Sequence, residues 1–162
     1  MTTATTIIRC PNCGRRNRVP VAAGGRPRCG NCHRALPWIV DAFDDTFADV
    51  AERADPPVIV DMWATWCAPC RMVSPVLEQL AMERAGEVKL VKVDVDLAPR
   101  LSSQFAVQAV PTLLILYRGE IVARQAGAAP VDVVRRWFDD AMRTRVREED
   151  SANSGSEQGG VS

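Results

Sequence analysis

The chain has 162 residues, 47% of them hydrophobic, and its 20 basic and 20 acidic side chains cancel, which suits one medium-sized core with an appendage. No apolar run approaches the roughly 18 residues of a membrane span, and the N-terminus lacks the basic-then-apolar order of a secretory signal. Residues 1–40 carry seven arginines and no acid, whereas residues 148–162 carry four acids and no base, so at least two functional parts are expected. Six cysteines without a signal argue against a secreted disulfide framework and for metal ligation or thiol chemistry in a reducing compartment; the cytoplasm is the expected location.

The cysteines form three pairs, each with two residues between its members. Cys10-Pro11-Asn12-Cys13 and Cys29-Gly30-Asn31-Cys32 lie in a basic segment rich in Gly, Pro and Arg, with little to build a core. Such a segment needs a staple, and two knuckles fifteen residues apart have the spacing of a tetrahedral four-cysteine zinc site. Gly14 and Gly30 are expected to relieve strain where N–H groups approach sulfur. Two disulfides are a rival arrangement, disfavoured by the missing signal, and Cys29-x-x-Cys32-His33 matches a haem-attachment pattern that would leave Cys10 and Cys13 unexplained. His33 is expected on an exposed turn. The segment before Trp38 has no aromatic residue for base stacking, so nucleic acid is not an expected partner.

From Trp38 the pattern becomes that of a folded domain. Trp38–Val40 reads as a short strand, and a helix is expected from an Asp45 N-cap to about Ala54, with Phe47, Val50 and Ala51 inward. Asp55-Pro56-Pro57 ends it. Val58 opens a buried strand that runs through Asp61 and Trp63 directly into Cys67 and Cys70. The next helix, to about Ala85, has Met72, Val73, Val76, Leu77 and Leu80 at helical spacing, with Pro75 interrupting it. Residues 87–95 alternate as a strand, and Pro99–Phe105 is a short helix. Val110–Tyr117 is an apolar strand, turned by Arg118-Gly119-Glu120 into Ile121–Arg124. A last helix over 130–147 places Val133, Val134, Trp137, Phe138 and Met142 at core spacing. Residues 148–162 have no apolar face and are expected to be a disordered acidic tail.

This order gives an α/β fold with a central mixed sheet and helices on both faces. The strand-to-helix junction puts Cys67 at a helix N-terminus, where free N–H groups and the helix dipole stabilise a thiolate, the form that attacks disulfides. Asp61, Trp63, Trp66-Cys67-Ala68-Pro69-Cys70, Pro75, Lys92, Val110-Pro111-Thr112, Gly119 and Gly127 fall in the order seen in the thioredoxin family. Residues 37–147 resemble that family closely. With the cysteine quartet in residues 1–36, a zinc-ribbon-like module, the chain resembles the zinc-binding thioredoxin-2 subgroup of bacteria.

The resemblance implies a thioredoxin fold and a protein-disulfide reductase. Cys67 is then the exposed nucleophile that forms a mixed disulfide, and Cys70, one turn deeper, resolves it. Asp61, on a buried strand, is the candidate base for Cys70, with its pKa raised by burial, and Lys92 is its usual partner. Pro111 corresponds to a cis-proline facing the dithiol. Trp66, Ala68, Pro69, Val110, Pro111, Gly127 and Ala128 mark the substrate-binding surface. The implied cofactor is one Zn2+ on Cys10, Cys13, Cys29 and Cys32. The implied partners are disulfide-containing proteins and an NADPH-dependent thioredoxin reductase, with no membrane and a monomeric state. Ala68 stands where the family most often has Gly, which leaves the reduction potential open. Other readings are a stabilising cap or a redox switch for the zinc module, an oxidase or isomerase for the dithiol, and a partner-binding module with a thioredoxin scaffold.

Overall fold

The computed structural model describes residues 4–155. Strands β1 (Thr5–Arg9) and β2 (Arg16–Pro20) pair antiparallel as a two-stranded ribbon in the segment that carries the first two cysteine pairs. No apolar alternation announces this ribbon in the sequence, because only Val19 and Ile8 on its inner face pack against the body. Five further strands form the main sheet: β3 (Trp38–Asp41), β4 (Val58–Trp63), β5 (Lys89–Asp94), β6 (Thr112–Tyr117) and β7 (Glu120–Ala126). Their spatial order is β3-β5-β4-β6-β7, with β3 and β4 parallel to β5, and β6 antiparallel to both β4 and β7. The helices are α1 (Ala68–Glu83), α2 (Pro99–Gln104) and α3 (Val131–Gly155). The expected mixed sheet flanked by helices is present.

Alternation along the central strands builds two cores. Val58, Val60 and Met62 of β4 join Val91 and Val93 on one face, with Phe47, Val50, Leu101 and Phe105 above them. Cys10, Val19, Cys29 and Leu36 belong to this same cluster, so the cysteine-bearing segment shares the body's core. On the other face Ile59, Leu90, Leu113 and Ile115 meet Val73, Leu77 and Leu80 of α1 and Val134 and Phe138 of α3.

Several expectations are corrected. Asp45 caps nothing. The chain turns at Phe43–Thr46, where Thr46 Oγ1 accepts from the Phe43 N–H, and then forms a π-type turn at Ala48–Glu52 closed by Arg53 N–H to the Ala48 carbonyl. Its neighbour Asp44 instead accepts from Leu101 N–H at 2.9 Å and Arg100 N–H at 3.2 Å, capping α2 from across the fold. Pro75 does not interrupt α1, since the carbonyl it leaves unpaired lies on an exposed face. Val133, expected at core spacing, is exposed. The expected disordered tail is helical through Gly155: Arg145 pairs with Glu120 at 2.6 Å and Glu149 at 3.4 Å, and Arg118 pairs with Glu149 at 3.6 Å. These ion pairs extend α3 without an apolar face. Residues 156–162 lie outside the described residues.

The join between the two parts is a buried lysine. Lys89 opens β5 and is fully buried, with its ammonium donating to the Val21 carbonyl at 2.7 Å and the Val50 carbonyl at 2.7 Å. The Trp38 ring lies 3.7 Å from its Nζ, and the Trp38 indole N–H donates to the Pro20 carbonyl at 3.0 Å. Burial lowers the Lys89 pKa from 10.5 to about 8. Close packing completes the join: a Cβ on Gly86 would stand 2.9 Å from the Ala35 methyl, and the Arg26 guanidinium donates to the Gly86 carbonyl. Replacing Lys89 with Met keeps the bulk but strands two buried carbonyls. Urea unfolding should show a loss of about 2–4 kcal/mol. An unchanged midpoint would mean that the lysine does not hold the segment to the body.

Candidate redox centre and cysteine cluster

The dithiol is placed by the end of β4. Buried residues Val58–Met62 fix the strand, the chain turns through Ala64-Thr65-Trp66, and α1 begins at Ala68 with Cys67 as its N-cap. Pro69 in the first helical turn lacks an N–H that the helix would not have used. Cys67 Sγ accepts from the Cys70 backbone N–H at 3.2 Å, so an unpaired helix N–H points at the sulfur as expected. Cys67 and Cys70 are joined in a disulfide with a Cα–Cα separation of 5.3 Å.

Cys67 is not exposed, contrary to expectation: it is 3% accessible and Cys70 is 2%. Trp63, Val95 and Val110 pack against the pair. The Val110–Pro111 bond is cis, as the resemblance implied, and the Val110 carbonyl oxygen lies 3.5 Å from Cys67 Sγ. Gly127, at φ +88°, donates its N–H to the Pro111 carbonyl at 2.9 Å, tying the start of the next loop to the cis bond. Around the covered sulfurs Ala68 and Pro69 are exposed and Trp66 is 67% accessible. Two supports that sequence reasoning missed hold this rim. Asp96 accepts the Trp66 indole N–H at 2.9 Å, and Arg71 donates to the Thr65 carbonyl at 2.9 Å. Exposed Met72, on the first turns of α1, extends the apolar surface.

The strand that leads into the dithiol carries a buried carboxyl. Asp61 alternates with Val60 and Met62, so it shares the α1 side of β4 with Ile59. It is fully buried, and neither carboxylate oxygen has a hydrogen-bond partner. Burial lifts its pKa from 3.8 to about 6; Lys92 pulls it down and Glu78 pushes it up. Lys92 stands opposite Asp61 in the β4–β5 register, but its ammonium pairs with Glu78 at 3.6 Å and lies 5.6 Å from the centre of the Trp63 ring. No Asp61–Lys92 ion pair forms among the described residues. Glu78 was overlooked in the sequence, although it falls two helical turns after Cys70 and therefore on the same side of α1.

The other two cysteine pairs meet at the far end of the ribbon. Cys10 Sγ lies 3.6 Å from Cys32 Sγ, Cys13 Sγ lies 3.6 Å from Cys29 Sγ, and all four sulfurs lie within 4.8 Å of one another. These separations are too long for disulfides, and the four thiols are free. They bracket the roughly 3.8 Å edge of a tetrahedron with 2.3 Å metal–sulfur bonds. The knuckles are copies of each other: Cys10 N–H bonds to the Arg15 carbonyl and Cys29 N–H to that of Arg34, both at 2.8 Å. The left-handed position in each follows the second cysteine, at Gly14 and His33, so His33 rather than Gly30 carries the strained φ, and it is exposed. Backbone N–H groups of Cys32 and Asn31, with the Asn17 amide, lower the Cys29 pKa from 9.0 to about 6; Cys32 is lowered by the Arg34 N–H and Asn12. Four such thiols can hold a metal ion.

Comparison with known proteins agrees with this geometry. The thioredoxin family model matches residues 38–140. The chain belongs to the thioredoxin family. Thioredoxin C-3 of Corynebacterium nephridii is 36% identical over 140 residues, covering 85% of this chain and 96% of that protein. That match reaches beyond the stretch of the family model. Thioredoxin C-2 of the same organism is 46% identical over 102 residues, 62% of this chain and 94% of the relative, and the thioredoxin of Haemophilus influenzae is 47% identical over 87 residues, 54% of this chain and 81% of the relative. The chain is therefore a thiol–disulfide oxidoreductase with a Cys67–Cys70 redox centre, and its family implies disulfide-bonded protein substrates and a thioredoxin reductase. No helix among the described residues is long and apolar enough to cross a membrane.

The buried carboxyl makes stability pH-dependent. Its folded pKa is raised, so the folded state holds a proton that the unfolded chain releases between pH 3.8 and about 6. Stability is therefore lost as pH rises through that window and the loss is complete above it, amounting to about 3 kcal/mol. Urea midpoints measured from pH 4 to 7 should show this fall in the wild type and not in Asp61→Asn. Parallel pH profiles would show that Asp61 titrates normally.

Proposed function

We propose that the protein is a protein-disulfide reductase in which Cys67 is the attacking thiolate. Its sulfur bonds to one sulfur of a substrate disulfide, and the other leaves as a thiolate that takes a proton from water. Cys70 then gives its proton to Asp61 and attacks Cys67 Sγ, breaking the mixed disulfide, forming the Cys67–Cys70 bond and releasing the second substrate thiolate. Two electrons pass from the dithiol to the substrate. The observation that carries this reading is the N-cap sulfur receiving the Cys70 N–H at 3.2 Å, at the end of a strand that also holds a buried carboxyl without a protein hydrogen-bond partner.

Asp61 accepts a proton readily at neutral pH because burial has raised its pKa to about 6. Lys92 and Glu78 set that value from opposite directions, so Lys92 acts by tuning rather than by contact. The exposed Trp66, Ala68 and Pro69 with Val110, Pro111 and Gly127 receive the substrate segment, whose backbone pairs with Val110. Thioredoxin reductase restores the dithiol.

The donor set of Cys10, Cys13, Cys29 and Cys32 favours zinc, a soft-tolerant ion that accepts four thiolates tetrahedrally. When bound it supplies structure rather than chemistry, fixing both knuckles and the ribbon between them. The cysteine-bearing segment before residue 37 then forms a zinc-bound cap held against the catalytic body by the core that the two share. Unpaired cysteines at that cluster support a reducing compartment such as the cytoplasm.

Insulin reduction driven by dithiothreitol, with zinc measured on each protein, tests the assignment. The wild type should precipitate insulin. Cys67→Ser should fall to background while keeping about one zinc per chain. Cys70→Ser should accumulate a mixed disulfide through Cys67. A zinc-loaded wild type without activity would favour a partner-binding role for the whole chain.

A further inference from the structure

The arginines of the N-terminal segment are left unused by the redox chemistry. Arg9, Arg15, Arg16, Arg18, Arg26, Arg28 and Arg34 are all exposed, and among the described residues none pairs with a carboxylate. In the body seven arginines, Arg53, Arg84, Arg100, Arg118, Arg135, Arg143 and Arg145, hold an acidic partner, whereas Arg71, Arg124 and Arg136 donate only to backbone carbonyls and Arg147 has no ion pair among the described residues. Arginines without a carboxylate partner are thus concentrated in the N-terminal segment, where Arg9, Arg26 and Arg28 donate only to backbone carbonyls.

Three of these arginines share the outer face of the ribbon. In the β1–β2 register Arg9 stands directly opposite Arg16, and Ile7 directly opposite Arg18. Arg9, Arg16 and Arg18 are exposed, and Ile7 is 49% accessible although its neighbours Ile8 and Val19 pack inward. Like charges opposed across a strand pair cost stability, and an exposed β-branched residue between them adds nothing to the fold. Both features become favourable when an anionic, partly apolar chain covers the face.

We propose that this face, formed by Ile7, Arg9, Arg16 and Arg18, docks an acidic protein segment in which carboxylates are interspersed with an apolar side chain. A carboxylate bridging Arg9 and Arg16 relieves their repulsion, and the guanidinium fork holds it through two parallel hydrogen bonds. The apolar side chain covers Ile7. A nucleic acid would satisfy the charge but not Ile7, and residues 1–37 hold no Phe, Tyr or Trp for base stacking. The surface lies on the part joined at Lys89, the first residue of β5, whereas Cys67 follows the other end of the parallel strand β4. A docked segment therefore leaves the dithiol free, so the contact recruits or tethers a partner without blocking catalysis.

The test is fluorescence anisotropy with the zinc-loaded full chain, a labelled peptide of repeating Glu-Glu-Leu, and a labelled mixed-sequence DNA duplex. The wild type should bind the peptide saturably, more weakly as salt rises from about 50 to 200 mM. The triple variant Arg9→Gln, Arg16→Gln, Arg18→Gln should bind about tenfold more weakly, and Ile7→Thr about threefold. The double variant Arg15→Gln, Arg34→Gln should stay within about twofold of wild type. Zinc content and circular dichroism of each variant exclude misfolding as the cause. The proposal is overturned by absence of saturable peptide binding, by an equal loss in the Arg15/Arg34 variant, by indifference to Ile7→Thr, or by the duplex binding more tightly than the peptide.

Discussion

Strand β4 is the constraint on which the other parts depend. It is hydrogen-bonded on both sides, parallel to β5 and antiparallel to β6, and its residues from Val58 to Met62 are buried on both faces. A slip of one residue would exchange Val58, Val60 and Met62 with Ile59 and Asp61 between two filled cores. The register is thus locked, and with it the point where the chain leaves the sheet. Cys67 becomes the cap of α1 because β4 ends at Trp63 and the intervening turn has no freedom to lengthen. The same locked register forces Asp61 into the interior.

The sheet carries a buried ionisable group on each face, and the two are treated differently. Lys89 faces the side of the cysteine-bearing segment and has two carbonyls and an aromatic ring to hold its charge. Asp61 faces α1 and has no hydrogen bond, with Lys92 and Glu78 acting on it only through space. The first arrangement stabilises a join; the second keeps a carboxyl at a cost in stability. A residue held at such a cost on the strand that leads into a redox pair is suited to moving a proton when the pair changes state.

Much of this was visible in the sequence because it depends on local rules. The apolar run into Cys67, the helix start at the following residues, the paired cysteines and the Val110-Pro111-Thr112 position each declare themselves within a few residues. What escaped depends on contacts between distant segments. Lys89 sits in an alternating strand where a solvated lysine is the ordinary expectation, and only the arrival of Val21 and Val50 makes it a buried join. Asp44 and Asp45 are equivalent as local N-cap candidates, yet the fold brings α2 to Asp44. The last helix outruns its apolar pattern because Arg118, Glu120, Arg145 and Glu149 come together across two elements. The covering of Cys67 likewise follows from Val110 arriving from forty residues away.

The central claim is that the strand-to-helix junction, through the Cys70 N–H aimed at its sulfur, makes Cys67 rather than Cys70 the reactive thiolate. The most direct measurement is the pH dependence of iodoacetamide alkylation on the reduced, zinc-loaded protein, with modified cysteines mapped by mass spectrometry. The account predicts that Cys67 is alkylated first, with a midpoint below about 7.5, while Cys70 is spared. Equal labelling of the two with a midpoint near 8.5, the value of an ordinary cysteine, or preferential labelling of Cys70 would contradict it.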